Sequence, residues 1–352
     1  MEGASAVCAG GYHFLVLDQD LQVWGCGDNT RGQLGSAHAK TYDNIELKRI
    51  VDLPPVVSIH AGYYQSFFID EKGSVWACGE NSLGQLGVEG EERVELPKRI
   101  PNLPPIEKCF SSINFTIFVD FEGQLWCCGV FDKLEANGHE VVNVKLPIAM
   151  KDMTLCKSLF YLLDENGVLW QTTSSLINPD SLKSFSQLPK IQKVTGQHDH
   201  VLLLDESGGV WSAGKNNFYQ CGLGAEQRTK IEKFTKIEGI PPIQSIDAGE
   251  HHSILLDEEG CIWSFGYNGE GQLGTGNIVG QSIPCKIENI PLMTKIISGA
   301  FFTIAIDEEG AIWGSGSLRF HKEKVQLFTK LSTLPILEPD RRKRTKSARN
   351  CQ

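Results

Sequence analysis

Residues 61–87 read Ala61-Gly62-Tyr63-Tyr64-Gln65-Ser66-Phe67-Phe68-Ile69-Asp70-Glu71-Lys72-Gly73-Ser74-Val75-Trp76-Ala77-Cys78-Gly79-Glu80-Asn81-Ser82-Leu83-Gly84-Gln85-Leu86-Gly87, and residues 248–274 repeat the phrase. The run Ser66-Phe67-Phe68-Ile69 is too short for a helix and is bounded by turn residues, as a buried strand should be. Asp-x-x-Gly then makes a hairpin. Asp accepts local backbone N–H bonds at the first turn position, and Gly takes the left-handed conformation that starts the second strand in register. After the Gly-Gln-Leu-Gly loop the chain runs through a polar insert to an outer strand and a link, Pro97-Lys98-Arg99-Ile100-Pro101-Asn102-Leu103-Pro104, before the next inner strand. Each unit therefore holds four antiparallel strands.

The unit recurs along the chain. All seven Trp stand in one phase, Trp24, Trp76, Trp126, Trp170, Trp211, Trp263 and Trp313, separated by 52, 50, 44, 41, 52 and 50 residues. Six residues before each stands an Asp: Asp18, Asp70, Asp120, Asp164, Asp205, Asp257 and Asp307. Gly occupies the position three before Trp in every unit but the first, which has Leu21. A period of 40 to 50 residues marks a repeat architecture. A four-stranded sheet cannot bury both faces alone, so the units must pack face to face around an axis, with one Trp per unit filling the space between sheets. The fold class is all-β, a seven-bladed β-propeller of four-stranded antiparallel blades over residues 1–337, followed by a basic tail, 338–352, expected to be disordered. How the ring closes stays open: either blade one borrows Ile336-Leu337, or the ring closes by packing alone.

Composition narrows the function. Of 33 basic residues, six (Arg341, Arg342, Lys343, Arg344, Lys346 and Arg349) lie in the last twelve positions, leaving 27 against 43 acids in the body. So acidic a body repels phosphate backbones, which argues against nucleic-acid binding by the ring. Eleven scattered Cys without a C-x-x-C pair give neither a disulfide framework nor a zinc knuckle. They read as reduced thiols, with Cys26, Cys78 and Cys128 packed two residues after a Trp. No stretch approaches the roughly 20 apolar residues of a membrane helix, and the amino terminus does not read as a secretory signal. We expect a cytoplasmic monomer, with Arg341-Arg342-Lys343-Arg344 as a candidate nuclear import signal. No hydrolase, transferase or cofactor motif is present, so neither enzyme activity, cofactor nor metal is expected.

The string Gly-x-Val-Trp-x-x-Gly-x-Asn-x-x-Gly-Gln-Leu-Gly, preceded by Ala-Gly, resembles the regulator of chromosome condensation repeat family from about Ala6 to Leu337. Kelch and WD patterns are absent. Three units depart from the family's loop: Phe131 to Gly138 in blade three, Thr172 to Leu176 in blade four and Ser315 to Phe320 in blade seven. The resemblance implies a propeller acting as a nucleotide-exchange factor, an interaction module or a sensor. In the founding member, an exchange factor for the GTPase Ran, acidic and His side chains on the Ala-Gly loops face the GTPase. Asp199 and His251 stand at matching positions, while the founding member's inserted wedge has no counterpart. The family's ultraviolet photoreceptor uses extra Trp as chromophore, and here all seven Trp are taken by the packing position.

Strand alternation puts the Ala-Gly loops and the Gly-Gln-Leu-Gly loops on one face and the Asp-x-x-Gly hairpins on the other. The residues before the second strands differ from blade to blade, which makes the first face the variable one. From it we take Tyr12, Tyr63, Tyr64, His198, Asp199, Glu250, His251 and Phe301 as candidate partner-binding residues, because aromatic and charged side chains dominate protein-binding hot spots. His13, His200 and His252 occupy the family's recurring His position and are expected to bond a neighbouring blade. Zinc at His198, His200, His251 and His252 is disfavoured by their spacing on separate loops. The expected function is a non-enzymatic protein-interaction propeller; the alternative is nucleotide exchange on a Ran-like small GTPase.

Overall fold

Each repeat turns its apolar run and its Trp run into the two central strands of one sheet. In the computed structural model, which describes residues 4–35, 44–130, 138–146, 148–156, 159–173, 182–317 and 324–332, blade one consists of Ala4–Ala9, His13–Asp18, Val23–Gly27 and Asn44–Arg49, hydrogen-bonded in that order. His13 pairs with Gly27 and Val16 with Trp24 across the central hairpin. Six further four-stranded antiparallel sheets repeat the plan. Their innermost strands are Val56–Ala61, Ile106–Ser111, Met150–Cys156, Ile191–Gln197, Ile243–Ala248 and Met293–Ser298. The second strand is buried along its whole length in six of the seven blades, since adjacent sheets cover both its faces. That is why these runs are continuously apolar instead of alternating. Phe67 and Phe68 are fully buried there, each worth roughly 1.5–3 kcal/mol of transfer free energy.

The conserved-phase Asp and Trp are one device. In every blade the indole Nε1 donates to Oδ2 of the Asp six residues earlier, at 2.8 Å in blades one and seven, 2.9 Å in blades three to six and 3.3 Å in blade two. The other oxygen accepts backbone N–H groups of the turn, as Asp257 does from Glu259 and Cys261 at 3.0 and 2.8 Å. The carboxylate thus ties the hairpin to the Trp that packs against the preceding blade: Trp24 joins a core with Phe302 and Ile304 of blade seven, and Trp263 one with Leu202 and Leu204 of blade five. The turn Gly are left-handed, with φ between 76° and 86°. Leu21 holds the same region at φ 59°, strained for a residue with a Cβ.

Polar staples run between blades as well. His13, His200 and His252 place Nε2 at 2.9, 2.9 and 3.1 Å from Ser66, Ser253 and Thr303 of the following blade. Each hydroxyl donates its single proton to a loop carbonyl, of Gln33, Gln220 or Gln272. The hydroxyl oxygen must therefore accept from the imidazole, which fixes the Nε2–H tautomer. Burial lowers all three imidazoles to about 3, so they are neutral in the fold. Cys78 sits deep in the first of these seams against the Gln33 carbonyl and Cys128 in the seam between blades two and three against the Gln85 carbonyl, and burial pushes their thiols well up, which leaves them unreactive.

Among the described residues, the two ends of the ring meet by packing. All four strands of blade one come from its own repeat, and no later strand among the described residues joins them. Blade seven meets blade one through the shared core of Phe14, Val16, Phe302, Ile304 and Ile312, a 3.0 Å bond from Ala300 N to Gly11 O, and a bond from Lys295 Nζ to Ser5 O. Ile336-Leu337, the tail with Arg341 to Arg344, and the divergent loop positions 131–137, 174–176 and 318–320 lie outside the described residues.

Candidate functional site

The Ala-Gly loops form a collar around the mouth of the ring. Close approach explains their Gly: a Cβ on Gly10 would lie 2.2 Å from the Gly62 carbonyl, and one on Gly62 would lie 2.3 Å from Ser111 Oγ. Backbone bonds then link successive loops, from Glu250 N to Ala300 O at 3.3 Å, Ala300 N to Gly11 O at 3.0 Å and Gly11 N to Tyr63 O at 3.1 Å. The variable residue of each loop stands on this hydrogen-bonded collar, from blade six through seven and one to two.

Their side chains meet. Tyr63 packs on Tyr64 at 4.8 Å and edge-on against Tyr12 at 5.7 Å; Tyr12 lies 6.3 Å from Phe301, and Phe301 6.2 Å from His251. His251 stands edge-on to His198 at 5.6 Å. Glu250 completes the circuit: its Oε2 lies 3.4 Å from Tyr63 Oη on the far side of the mouth, and its Oε1 3.8 and 3.9 Å from His251 and His198 Nε2. His198 Nδ1 lies 2.8 Å from Asp199 Oδ2, close but without hydrogen-bond alignment, and Lys215 Nζ 3.5 Å from the same oxygen. The eight candidate residues Tyr12, Tyr63, Tyr64, His198, Asp199, Glu250, His251 and Phe301 form one connected surface over blades one, two, five, six and seven.

Burial governs the titration of this surface. It holds His251 below the ordinary imidazole range, against the opposing pull of Glu250. Burial, the Tyr12 contact and nearby Glu250 together keep the Tyr63 phenol far above its usual value. The surface offers apolar ring area, hydroxyl groups and a carboxylate. It has no nucleophile paired with a base, and no group of three metal ligands occurs among the described residues. His200 and His252 are committed to their Ser and Thr partners.

Sequence reasoning missed several members. Phe218 packs 4.9 Å from His251, and Tyr267 lies 5.3 Å from Phe218 and 6.4 Å from Phe301. Both come from the loops after the Trp strand, whose variable positions carried the signal. Arg31, ion-paired to Glu80 at 3.1 Å, reaches over the Tyr64 ring at 5.9 Å. Beneath the mouth the seven inner strands enclose a channel of about 550 Å³ that reaches Tyr63, His198 and Glu250 and contains Asp152, Lys193 and Asp247. Asp247 accepts from Thr195 Oγ1 at 3.1 Å and Ser298 N at 2.6 Å, and burial raises it and Asp152 above the usual carboxyl range.

These features define a class: seven-bladed propellers of Asp–Trp clasped repeats with a variable loop face. Two family models described as the regulator of chromosome condensation repeat match residues 72–119, 207–256 and 259–306, and residues 4–33, 56–85 and 243–272. Together they cover more than half of the chain, which belongs to that repeat family. It is 32% identical over 119 residues to an X-linked retinitis pigmentosa GTPase regulator homolog of Caenorhabditis elegans, 31% of this chain and 8% of the relative. It is 26% identical over 279 residues to the human probable E3 ubiquitin-protein ligase HERC6, 78% of this chain and 19% of the relative. The chain thus spans under a fifth of the length of these curated relatives. Among solved structures it matches Prp20p from Saccharomyces cerevisiae with a TM-score of 0.77 at 18% identity, over 95% of this chain and 88% of that one.

Proposed function

We propose that this protein is a non-enzymatic interaction propeller whose loop face, carried by blades one, two, five, six and seven, docks a protein partner. The observation that carries this reading is the continuity of Tyr12, Tyr63, Phe301 and His251 with Glu250 in one half-buried surface on a backbone-bonded collar. Rigid aromatic rings offer large contact area at small entropy cost, which is the usual chemistry of binding hot spots. The test is affinity capture with the wild type, a Tyr63→Ala/Phe301→Ala variant and a Phe121→Ala variant on the opposite hairpin face, where Phe121 is 68% exposed. Loss of specific partners with the first variant alone supports the reading; loss with Phe121→Ala alone overturns it.

A second reading is nucleotide exchange on a Ran-like small GTPase, favoured by the place of Asp199 and His251 at the mouth. The yeast neighbour's structure describes binding to Gsp1p and histones, and the worm relative is a GTPase regulator homolog. Exchange needs no general base, only competition for the loops that hold phosphate and Mg²⁺. Release of labelled GDP from a panel of small GTPases tests it. Acceleration lost with Asp199→Ala or His251→Ala at unchanged melting temperature supports exchange; no acceleration on any of them overturns it. We also propose a cytoplasmic monomer with nuclear entry through Arg341 to Arg344. A fluorescent fusion whose distribution does not respond to alanine at these four positions contradicts the import signal.

A further inference from the structure

One carboxylate at the mouth is weakly answered by the chain itself. The Glu250 side chain is 16% exposed, yet its nearest donors among the described residues stand at 3.4, 3.8 and 3.9 Å. A charge-assisted hydrogen bond closes to about 2.7–2.9 Å. Among the described residues of this face, Lys215 and Arg31 are engaged elsewhere, at 3.5 Å from Asp199 and 3.1 Å from Glu80. Burial keeps His251 below the ordinary imidazole range, so at neutral pH it brings Glu250 a neutral ring. The carboxylate's neighbours are Tyr63, His251 and His198, and two more rings stand one contact further out, Tyr12 edge-on to Tyr63 and Phe301 against both Tyr12 and His251.

We propose that this mouth is a socket for an arginine side chain of the partner, with Glu250 as the carboxylate acceptor and Tyr63, Tyr12 and Phe301 as the aromatic walls. The proposal rests on the docking-surface reading above and narrows it to a partner chemistry. A partly buried carboxylate whose described donors stand at 3.4 Å or farther loses hydration that only a strong donor restores. Aromatic faces attract cations through their quadrupole, most strongly where water is excluded. Guanidinium meets both demands at once: its plane lies on a ring while two parallel N–H groups reach the two carboxylate oxygens, and it is more weakly hydrated than an ammonium. The contacts it displaces are long ones, the 3.4 Å bond from Tyr63 Oη to Oε2 and the approaches of His251 and His198 to Oε1 at 3.8 and 3.9 Å. Charge complementarity extends beyond the socket, since 27 basic residues stand against 43 acids outside the last twelve positions.

The experiment titrates the whole 352-residue chain into a fluorescein-labelled Gly-Ser-Arg-Ser-Gly peptide and its lysine and citrulline counterparts, followed by polarisation. The arginine peptide should bind at least tenfold more tightly than the citrulline peptide, which keeps the shape without the charge, and several-fold more tightly than the lysine peptide. Glu250→Gln should remove the preference over citrulline. Glu258→Gln, the same change of charge on the opposite hairpin face, should keep it. Equal binding of the arginine and citrulline peptides, or equal effects of the two Gln variants, overturns the socket; equal binding of lysine overturns the guanidinium assignment. If the socket fails while Tyr63→Ala/Phe301→Ala still loses its partners in affinity capture, the docking surface stands without it. If partner loss follows Phe121→Ala alone, the docking surface itself falls.

Discussion

Acidification from pH 7 to 5 should weaken this fold through its buried imidazoles, those of His13, His200 and His252 and that of His60, which burial lowers to about 4. His13, His200 and His252 are buried with imidazoles lowered to about 3, their Nε2 committed to a hydroxyl of the next blade. In the unfolded chain each titrates near about 6.5. A folded pKa below the unfolded one means the unfolded state binds more protons, so the stability present above about 6.5 is lost as pH falls toward 3. Integrated from pH 7 to 5, each His costs roughly 2 kcal/mol, and three cost about 6 kcal/mol, comparable to the 5–15 kcal/mol that holds a typical domain. Asp152 and Asp247, raised by burial, act in the opposite sense as pH falls. Blade two supplies the control, because it carries Gln65 at the His position and bonds Ile113 O at 3.0 Å. Urea unfolding followed by Trp fluorescence at pH 7 and 5 should show the wild type losing several kcal/mol more than a His13→Gln/His200→Gln/His252→Gln variant. His200→Gln alone should show about a third of that difference, again by linkage. Since His60, His251 and the two Asp are common to all the proteins, equal losses in wild type and variants would refute the reasoning.

The Asp–Trp clasp gives a second test: Asp257→Ala strips acceptors from the Trp263 indole and from Glu259 N and Cys261 N. It should cost about 2–4 kcal/mol in urea unfolding, against about 1 kcal/mol for the single bond lost in Trp263→Phe; equal costs would show that the indole bond is the clasp's whole contribution. Leu21→Gly relieves a left-handed Leu at φ 59° and should raise stability by roughly 0.5–1 kcal/mol, the strain relieved less the entropy of the added Gly. A fall in the urea midpoint would mean that the half-buried Leu side chain outweighs the strain.

Blade count, strand order and the sidedness of the loops were legible because each depends on contacts within about fifty residues of sequence. The bond from Trp24 to Asp18 is not legible in the sequence, because spacing does not say which turn oxygen faces the indole. Leu21 was read as an exception to the Gly pattern, but its φ becomes visible only once the hairpin is built. At the site, variability of the loops pointed to Tyr63 and Glu250, yet their meeting across the mouth joins blades two and six, 187 residues apart, and follows from ring closure alone. Asp247 escaped notice for the same reason. A carboxylate in an inner strand becomes a channel residue only when seven strands surround one axis. Phe218 and Tyr267 were passed over because the loop that bears them has a repeated structural core, whose Asn and Gln oxygens bond its own backbone, while the positions between remain free to vary.

The central claim, that a partner docks on the loop face, is tested most directly by site-specific photo-cross-linking. A benzoylphenylalanine placed at Tyr63, at Phe301 or at Phe121 and irradiated in the cell reports which face touches protein. The account predicts a discrete adduct from Tyr63 and Phe301 at the mouth and none from Phe121 on the hairpin face. An adduct from Phe121, with none from the two mouth positions, would contradict it.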